Sequence, residues 1–270
     1  MVPQTEGYYQ LLKAQILKKD VNVEISLTAI SATGHTVAVL TDKRFFVYTT
    51  TPEVAFVCGG EFFRQTDFQY DNRNRSLKSQ HPTPDKFKVK DFSCVALSDS
   101  FLAIGVPGKV MAFYLHGDHA GRWVFCDSMH SKVLVMRLKF SRDGKQLLSL
   151  LQYVENNIIG IKAKIYNTEE FPISQFDRRK PAPPTNPSEV TWNCDDTVYM
   201  PSAAAFSRDG NMIALCTNCS HAFAQIQLLK KFENGWVNWV TETVRVFPTD
   251  DPRDWHGDGL TGISLYFPCE

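Results

Sequence analysis

The chain has 270 residues, of which 43% are hydrophobic, so it is long enough to bury a full core as one large domain or two ordinary ones. Its 29 basic residues balance its 29 acidic residues, which excludes a global field that would draw the protein to nucleic acid or to an anionic membrane. The seven cysteines are odd in number and irregularly spaced, and the sequence shows neither a signal-peptide core nor an apolar run of roughly 18–20 residues. We therefore predict a soluble protein of the cytoplasm, or alternatively of the nucleus.

Residues 1–23 contain the most persuasive helical pattern of the chain. Between Tyr8 and Lys19 the apolar residues fall on one face of a helix, and lysines close its end. Packing against a larger domain explains this stripe better than a membrane-surface helix, because so short a segment carries little basic charge. We predict a short amino-terminal helix here.

From residue 24 onward, short apolar strands alternate with polar turns. The first four strands are predicted at residues 24–30, 36–40, 44–49 and 54–58, with Ser31 and Gly34 in their first turn. Residues 59–91 then break the rhythm with a polar, proline-containing stretch, for which we predict an inserted surface loop. The basic residues between Arg73 and Lys90 offer a contact for an anionic partner, although charged loops are usually only solvated.

A second and a third group of four strands follow with the same rhythm. The second group is predicted at residues 92–97, 101–104, 110–115 and 123–126, with Ser98 in its first turn. The third is predicted at residues 133–140, 146–152, 159–166 and 171–176, with Ser141, Asp143 and Gly144 in its first turn. Residues 177–197 form a second predicted loop, which opens with Arg178, Arg179 and a proline-rich run. Such a run is more often a surface connection than a ligand for an SH3 or WW module.

The fourth group completes the pattern, and a further strand follows it. The group is predicted at residues 198–206, 212–216, 223–229 and 236–243, with Ser207, Asp209 and Gly210 in its first turn. A loop that contains Arg253 and Trp255 comes next. Residues 260–267 then begin like the strand at residues 27–30, and we predict them as the first strand of a fifth group.

Two of these first turns are nearly identical in sequence. Both read Phe-Ser-Arg-Asp-Gly, at residues 140–144 and 206–210. Aspartate tolerates tight local geometry and glycine supplies a positive φ, so this sequence between two apolar runs predicts a hairpin. The apolar residue before the serine recurs at Ile30, Leu97, Phe140, Phe206 and Ile263, in steps of 67, 43, 66 and 57 residues. A hairpin that recurs in this way predicts a repeat fold.

On these turns the chain resembles the WD40-like β-propeller superfamily in a diverged form. The Phe-Ser-Arg-Asp-Gly turns are similar to the family's Phe-Ser-Pro-Asp-Gly turn, and Tyr48, Tyr114 and Tyr166 lie where the family ends its third strands with Trp-Asp. The family's bracing Gly-His and Asp partners are missing. The resemblance covers residues 24–267 and implies an all-β propeller of four-stranded antiparallel blades, about four blades plus the first strand of a fifth. We expect an incomplete ring, whose exposed edge would pair with further blades or with another copy.

The sequence predicts no catalytic set, no cofactor and no metal site. Cys216 and Cys219 have C-x-x-C spacing, but a structural zinc site needs four ligands and no second pair exists, so we interpret them as buried apolar residues. An alternative function is a metal-dependent enzyme that uses a propeller channel. That alternative would require His116, His119, His256 and Asp258 to converge.

The preferred prediction is a non-catalytic scaffold for protein–protein interaction, with an unidentified protein or peptide as its partner. Exposed aromatic residues and arginines dominate interface energetics, which makes Arg178, Arg179, Arg253 and Trp255 the candidate partner-binding residues. The Ser, Asp and Gly residues of the first turns are predicted to be structural. Binding of an anionic partner through residues 73–90 is a second alternative, whereas contact with a membrane is not predicted.

Overall fold

The computed structural model describes residues 27–41, 44–61, 94–130, 133–155, 158–171, 187–193, 201–218 and 223–245. The predicted amino-terminal helix, the basic stretch 73–90 and the strand predicted at 260–267 lie outside the described residues. The four candidate partner-binding residues, Arg178, Arg179, Arg253 and Trp255, also lie outside them.

The described residues form four antiparallel sheets of four strands, and in each sheet the strands pair in chain order. The first sheet consists of β1 (Leu27–Ile30), β2 (Thr36–Leu40), β3 (Arg44–Thr49) and β4 (Ala55–Glu61). The second consists of β5 (Cys94–Leu97), β6 (Phe101–Val106), β7 (Lys109–Tyr114) and β8 (Trp123–Ser128). The third consists of β9 (Leu134–Phe140), β10 (Gln146–Glu155), β11 (Ile158–Asn167) and β12 (Ser188–Asn193). The fourth consists of β13 (Pro201–Phe206), β14 (Met212–Asn218), β15 (Phe223–Phe232) and β16 (Gly235–Arg245).

Helical structure within these ranges is limited to short 3-10 turns, at Gly117–His119 after β7 and at Thr168–Glu170 after β11. No helix long and apolar enough to cross a bilayer occurs in the part of the chain that the structure describes. The all-β prediction of four-stranded antiparallel sheets is therefore confirmed.

The sheets stack one after another through their first strands. β1 packs beside β5, β5 beside β9, and β9 beside β13, so each sheet contacts the next one in the sequence. The outermost strands of the last two sheets, β12 and β16, also touch. Stacking of successive four-stranded sheets side by side through their first strands is the arrangement of a β-propeller.

Strand β6 shows why the sheets must stack. Leu102 and Ile104 belong to the cluster shared with the first sheet, whereas Phe101 and Ala103 belong to the cluster shared with the third. Successive side chains on a strand point to opposite faces, so an apolar strand that alternates in this way needs a partner sheet on each side. The core is accordingly a series of layers between neighbouring sheets rather than one central cluster.

Strand β4 extends beyond its predicted end, into the start of the predicted loop at residues 59–91. Gly59 and Gly60 continue the ladder opposite Phe46 and Phe45. A Cβ at Gly60 would lie 2.8 Å from the ring of Phe45, and one at Gly59 would lie 3.0 Å from the Phe45 carbonyl oxygen. Glycine is therefore required here for a close approach between strands, and β4 continues three residues past its predicted end at residue 58.

The outermost strand of the third sheet lies elsewhere than predicted. Sequence reasoning placed it at residues 171–176, whereas β12 occupies Ser188–Asn193, inside the predicted loop 177–197. Phe171 instead follows a 3-10 turn and packs between the rings of Phe101 and Phe125, at centroid distances of 5.3 and 4.5 Å. Phe171 thus packs in the layer between the second and third sheets, and a later segment forms the outermost strand of the third sheet.

Candidate functional site

The turns between the first and second strands repeat in atomic detail. In the third sheet the Ser141 N–H donates to the Gln146 carbonyl over 2.9 Å, and the Gly144 N–H donates to the Ser141 carbonyl over 3.0 Å. The turns that start at Ser31 and Ser207 repeat both hydrogen bonds at 2.9–3.0 Å. The glycines of the three turns have φ values of 71–76°, in the left-handed region that favours glycine. Eight of the nine predicted turn residues thus lie in three equivalent turns, whereas Ser98 begins a shorter turn in which its N–H donates to the Phe101 carbonyl over 2.9 Å.

An aspartate two residues after the serine braces two of these turns. Ser141 Oγ donates to Asp143 Oδ1 over 2.6 Å, and Ser207 Oγ donates to Asp209 Oδ1 over 2.5 Å. The Ser207 hydroxyl and the Asn211 amide lower the pKa of Asp209. At Asp143 burial raises the pKa, but hydrogen bonds from the Ser141 hydroxyl and from the Lys145 N–H outweigh it, so the pKa of Asp143 is also lowered. Both carboxylates therefore act in the ionised form.

The first turn has Thr33 where the others have aspartate, and the second sheet supplies the missing carboxylate. Thr33 Oγ1 donates to Asp99 Oδ1 over 2.7 Å, and Thr36 Oγ1 donates to the same oxygen over 3.2 Å. Further along the same rim, Gln146 Nε2 donates to the Gly210 carbonyl over 2.8 Å. Turns of neighbouring sheets are thus tied together, and we call this series of four first turns the turn rim.

The ends of the third strands are tied to the turn rim by a bond that all four sheets share. Backbone N–H groups donate to carbonyls over 2.8–3.0 Å in the pairs Thr50–His35, Leu115–Ser100, Thr168–Lys145 and Lys231–Asn211. Counting back two residues from each donor gives Tyr48, Phe113, Tyr166 and Leu229 as equivalent positions. The expected equivalence of Tyr114 with Tyr48 and Tyr166 was therefore wrong by one residue, because Phe113 pairs with Leu102 as Tyr166 pairs with Leu147.

A polar cluster joins the second and third sheets near their outermost strands. Asp127 on β8 accepts hydrogen bonds at Oδ2 from Tyr166 Oη over 2.7 Å and from Lys164 Nζ over 2.9 Å. Lys164 also lies 3.2 Å from Glu189 on β12, which pairs with Lys162 over 2.9 Å. Asp127 and Tyr166 are buried. We call this group of five residues the inter-sheet brace.

The brace is electrostatically self-consistent. Burial alone would lower the pKa of Lys164, but the carboxylates of Asp127 and Glu189 outweigh it and raise that pKa. Burial, with Asp127 beside it, raises the pKa of Tyr166 well above its ordinary value, so the hydroxyl stays protonated and donates. Sequence reasoning missed this group. The alternation of Lys162 and Lys164 with apolar residues in β11 was a signal, but it is also the signal of a solvated strand face.

Residues with metal-binding or nucleophilic chemistry do not converge within the described ranges, where no group of three or more His, Cys, Asp or Glu side chains is placed to hold a metal. His116 and His119 lie in the connection after β7, and His256 and Asp258 lie outside the described residues. Burial raises the pKa of Cys58 to about 11 and that of Cys94 to about 12, so both thiols stay protonated and weakly nucleophilic near neutral pH. Cys216 is buried on β14, as its sequence context suggested, and Cys219 lies outside the described residues.

An exposed apolar surface lies on the hairpin formed by β15 and β16. Phe232, Val237 and Trp239 are 47%, 45% and 50% exposed. Lys230 Nζ lies 4.6 Å from the ring centroid of Trp239 and 5.4 Å from that of Phe232, so the ammonium contacts both aromatic rings. We call these four residues the hairpin patch.

The register of the fourth sheet explains why the patch is exposed. Lys230 pairs with Val237, and both point away from the third sheet, toward which Leu229 and Trp236 point. The pairing shifts between Leu228 and Leu229, which leaves Trp239 as an extra residue in β16. Such a bulge re-aims a side chain, and here the indole comes to lie against Lys230. Sequence reasoning counted this segment only as an outermost strand and did not distinguish its two faces.

Comparison with known proteins yields similarity at the level of structure. No family model matches the chain, and no curated protein matches it. Similar solved structures include the β-propeller domain of Cps50 (Swd1) from Myceliophteria thermophila, at 12% identity and a TM-score of 0.45, with coverage of 78% of this chain and 56% of that one. The WD40 domain of SCAP from fission yeast has 12% identity and a TM-score of 0.47, with coverage of 83% and 45%.

A periplasmic gluconolactonase, PpgL, from Pseudomonas aeruginosa is also similar in structure, at 15% identity and a TM-score of 0.44, with coverage of 83% and 58%. The chain thus spans about half the length of the solved structures that it matches. The architecture follows from the chain's own geometry, in which four four-stranded sheets stack in sequence and share the hydrogen bond that ties the end of each third strand to the first turn. This architecture is that of a β-propeller built from four-stranded antiparallel sheets.

Proposed function

We propose that this protein is a non-catalytic scaffold that binds a protein or peptide partner, and that the hairpin patch is its docking surface. The observation that carries the proposal is the exposure of two aromatic rings and a valine side by side on one hairpin. Clustered exposed apolar side chains mark interaction sites on soluble proteins, and tryptophan is prominent among residues that dominate binding energy.

The geometry of the patch suits a docking role. Trp236 directly precedes the exposed Val237 on β16 but is buried against the third sheet. It anchors β16, so the exposed rings project from a fixed strand. Lys230 adds a cation at the centre of the apolar surface. A partner that covers the rings and offers a carboxylate to Lys230 would gain both apolar burial and a charge-assisted hydrogen bond.

The two alternatives depend on residues beyond the described ranges. A metal-dependent enzyme would need His256 and Asp258, and an anionic partner would bind residues 73–90. No observation on the described residues favours either one. The partner-binding roles of Arg178, Arg179, Arg253 and Trp255, the division into residues 1–23 and 24–270, and the cytoplasmic location stay predictions.

The proposal is tested by quantitative affinity capture from an extract of the source cells, with the wild-type chain and two variants as bait. Trp239→Ser removes the largest ring of the hairpin patch. Ile30→Ser is the matched control, because Ile30 is 53% exposed but lies at the end of β1 in the first sheet. We expect a captured protein that is depleted at least about tenfold by Trp239→Ser, the loss expected for about 1.4 kcal/mol, and retained by Ile30→Ser.

Equal capture by all three baits would contradict the assignment of the patch as the docking surface. Both variants must first show the unfolding transition of the wild-type chain. Purified protein with stoichiometric bound metal would instead favour the enzyme alternative.

A further inference from the structure

We propose that the open edge of β16 binds a partner segment as an added antiparallel or parallel strand, so that the partner is recognised as an extended peptide through its backbone. The segment would carry apolar side chains at alternate positions and a carboxylate that reaches Lys230. This inference rests on the proposed function and names the class of partner that the same site takes.

The position of β16 in its sheet is the first observation. β16 is the last strand of the fourth sheet, and among the described strands only β15 pairs with it. It has 11 residues, whereas the last strands of the other three sheets, β4, β8 and β12, have 7, 6 and 6. A long edge strand presents a row of backbone N–H and C=O groups that another extended chain can pair with.

The exposure of β16 is the second observation. Val237, Asn238, Trp239, Thr241, Glu242 and Thr243 are all exposed. By contrast, Val124, Phe125 and Asp127 of β8, the equivalent strand in the second sheet, are buried. The side chains along β16 are therefore in contact with solvent, and no other described strand pairs with its outer edge.

The composition of β16 is the third observation. Edge strands are commonly protected from pairing by proline, by lysine or by short length, and β16 has neither proline nor lysine and is long. Most of its residues are valine, threonine or tryptophan, which favour strands. Its single bulge is at Trp239, so residues 240–245 form an uninterrupted run of six residues beside which a second strand fits.

The charge at the hairpin patch specifies the partner further. Lys230 contacts the two aromatic rings, and no described carboxylate forms an ion pair with it. Side chains on a strand added to β16 alternate between the two faces of the sheet, so every second one lies on the face of Trp239 and Lys230. Apolar side chains there would cover the tryptophan ring, and one acidic side chain would pair with the ammonium.

The test begins with a displayed library of random linear twelve-residue peptides, selected on the immobilised full chain. The tightest binder is then synthesised in two N-methylated forms. One form is methylated at the odd-numbered residues and the other at the even-numbered residues. In a paired strand only every second N–H faces the neighbouring strand. We expect one form to bind at least about 100-fold more weakly than the parent peptide, and the other to bind within about threefold of it, because only one set of bonds is removed.

A pair of protein variants tests the same point from the other side. Successive N–H groups of β16 point in opposite directions, so of Thr241→Pro and Glu242→Pro one removes a donor from the β15 ladder and the other removes a donor from the open edge. We expect the variant that keeps the wild-type unfolding transition to be the one that loses peptide binding. The N-methylated peptides keep the test valid even if both proline variants unfold.

Three results would overturn the inference: a selection that yields no binder, equal loss with both N-methylated forms, or dimers of the chain alone that the folded proline variant abolishes. The last result would make a second copy, and not a peptide, the occupant of the edge. These outcomes are separable from the proposed function. Suppose that capture of a partner depends on Trp239 but that N-methylation of its binding segment at either set of alternate residues leaves binding unchanged. That result would support the scaffold role and reject strand addition.

Discussion

Two regions built on equivalent strands differ in the solvent exposure of their aromatic side chains. One is the layer between the second and third sheets, and the other is the outward face of the fourth sheet. In the layer, Phe125 is 1% exposed, its ring stacks on Phe171 at 4.5 Å and meets Tyr166 edge-on at 4.9 Å. On the fourth sheet, Phe232 and Trp239 are about half exposed, and their neighbour is the lysine between them. Similar aromatic content thus serves packing in one region and is free for contact in the other.

The polar groups of the two regions differ in the same way. In the layer, the Lys164 ammonium is held by two carboxylates and its side chain is 13% exposed. On the hairpin patch, the Lys230 ammonium rests on aromatic rings and has no carboxylate partner among the described residues. In this protein a lysine between two sheets is paired with carboxylates, whereas the lysine on the exposed hairpin has no carboxylate partner among the described residues.

The largest expected effect is on the aromatic layer. Phe125→Ala removes a fully buried ring and should lower the free energy of unfolding by about 3–5 kcal/mol, as large-to-small substitutions of core aromatics do. Phe232→Ala is the control, since its ring is half exposed, and should cost about 0.5–1 kcal/mol, the value of its exposed cation–π contact with Lys230. Urea denaturation of the two variants measures both values. Equal losses would mean that the hairpin patch is part of the core.

The next effect is on the inter-sheet brace. Asp127→Ala leaves Lys164 and the Tyr166 hydroxyl without their shared acceptor, and we expect a loss of about 3 kcal/mol, the lower end of the range for breaking a buried pair. Lys145 and Glu169 also form an ion pair, at 2.7 Å, but their side chains are 60% and 59% exposed. Glu169→Gln should therefore change the denaturation midpoint far less. A smaller loss for Asp127→Ala than for Glu169→Gln would refute the brace.

A smaller effect is expected at the turn rim. Gly34→Ala and Gly144→Ala both force a side chain into the left-handed region, at φ values of 76° and 71°, which costs about 1–2 kcal/mol. A Cβ at Gly34 meets open space, whereas one at Gly144 lies 3.2 Å from the Cβ of Ser98 in the neighbouring turn. We expect Gly144→Ala to be the more destabilising of the two in thermal denaturation. The reverse order would contradict the contact between turns of the second and third sheets.

The smallest effect is a pH dependence at the turn rim. The hydrogen bond from Ser207 lowers the pKa of Asp209 in the folded protein below its unfolded value of about 3.9. Its stabilisation is therefore fully present above that value and is lost as the pH falls through the folded pKa. Asp209→Asn should lower the denaturation midpoint at neutral pH and have little effect once the carboxyl is protonated. Gly34→Ala changes no titratable group, and its effect should not vary with pH.

The sequence was informative wherever a local rule decides the structure. Strands β2, β6, β10 and β14 are apolar enough to pack on both faces, and each begins after a turn that starts with serine. Those turns are specified by residues within six positions of each other, because the serine hydroxyl, the aspartate and the glycine act on their own segment. The four antiparallel sheets followed from these two features.

Local rules were misleading at two outermost strands. Gly59 and Gly60 look like a strand end until the Phe45 ring that crosses them is known. Phe171 looks like the start of a strand until its place between Phe101 and Phe125 is known. In both cases the deciding contact comes from a residue that is distant along the chain or in another strand, which no window of sequence contains.

What the sequence alone determined is the unit of this protein, a serine-led hairpin inside a four-stranded sheet, because backbone conformation and side-chain alternation depend on neighbours along the chain. What only the tertiary structure decided is which faces of those sheets meet. It brought Asp127 to Lys164 and Tyr166, gave Thr33 the carboxylate of Asp99, and left Trp239 and Lys230 on an uncovered face. Burial and charge pairing are set by contacts between sheets, so they become visible only when the sheets are stacked.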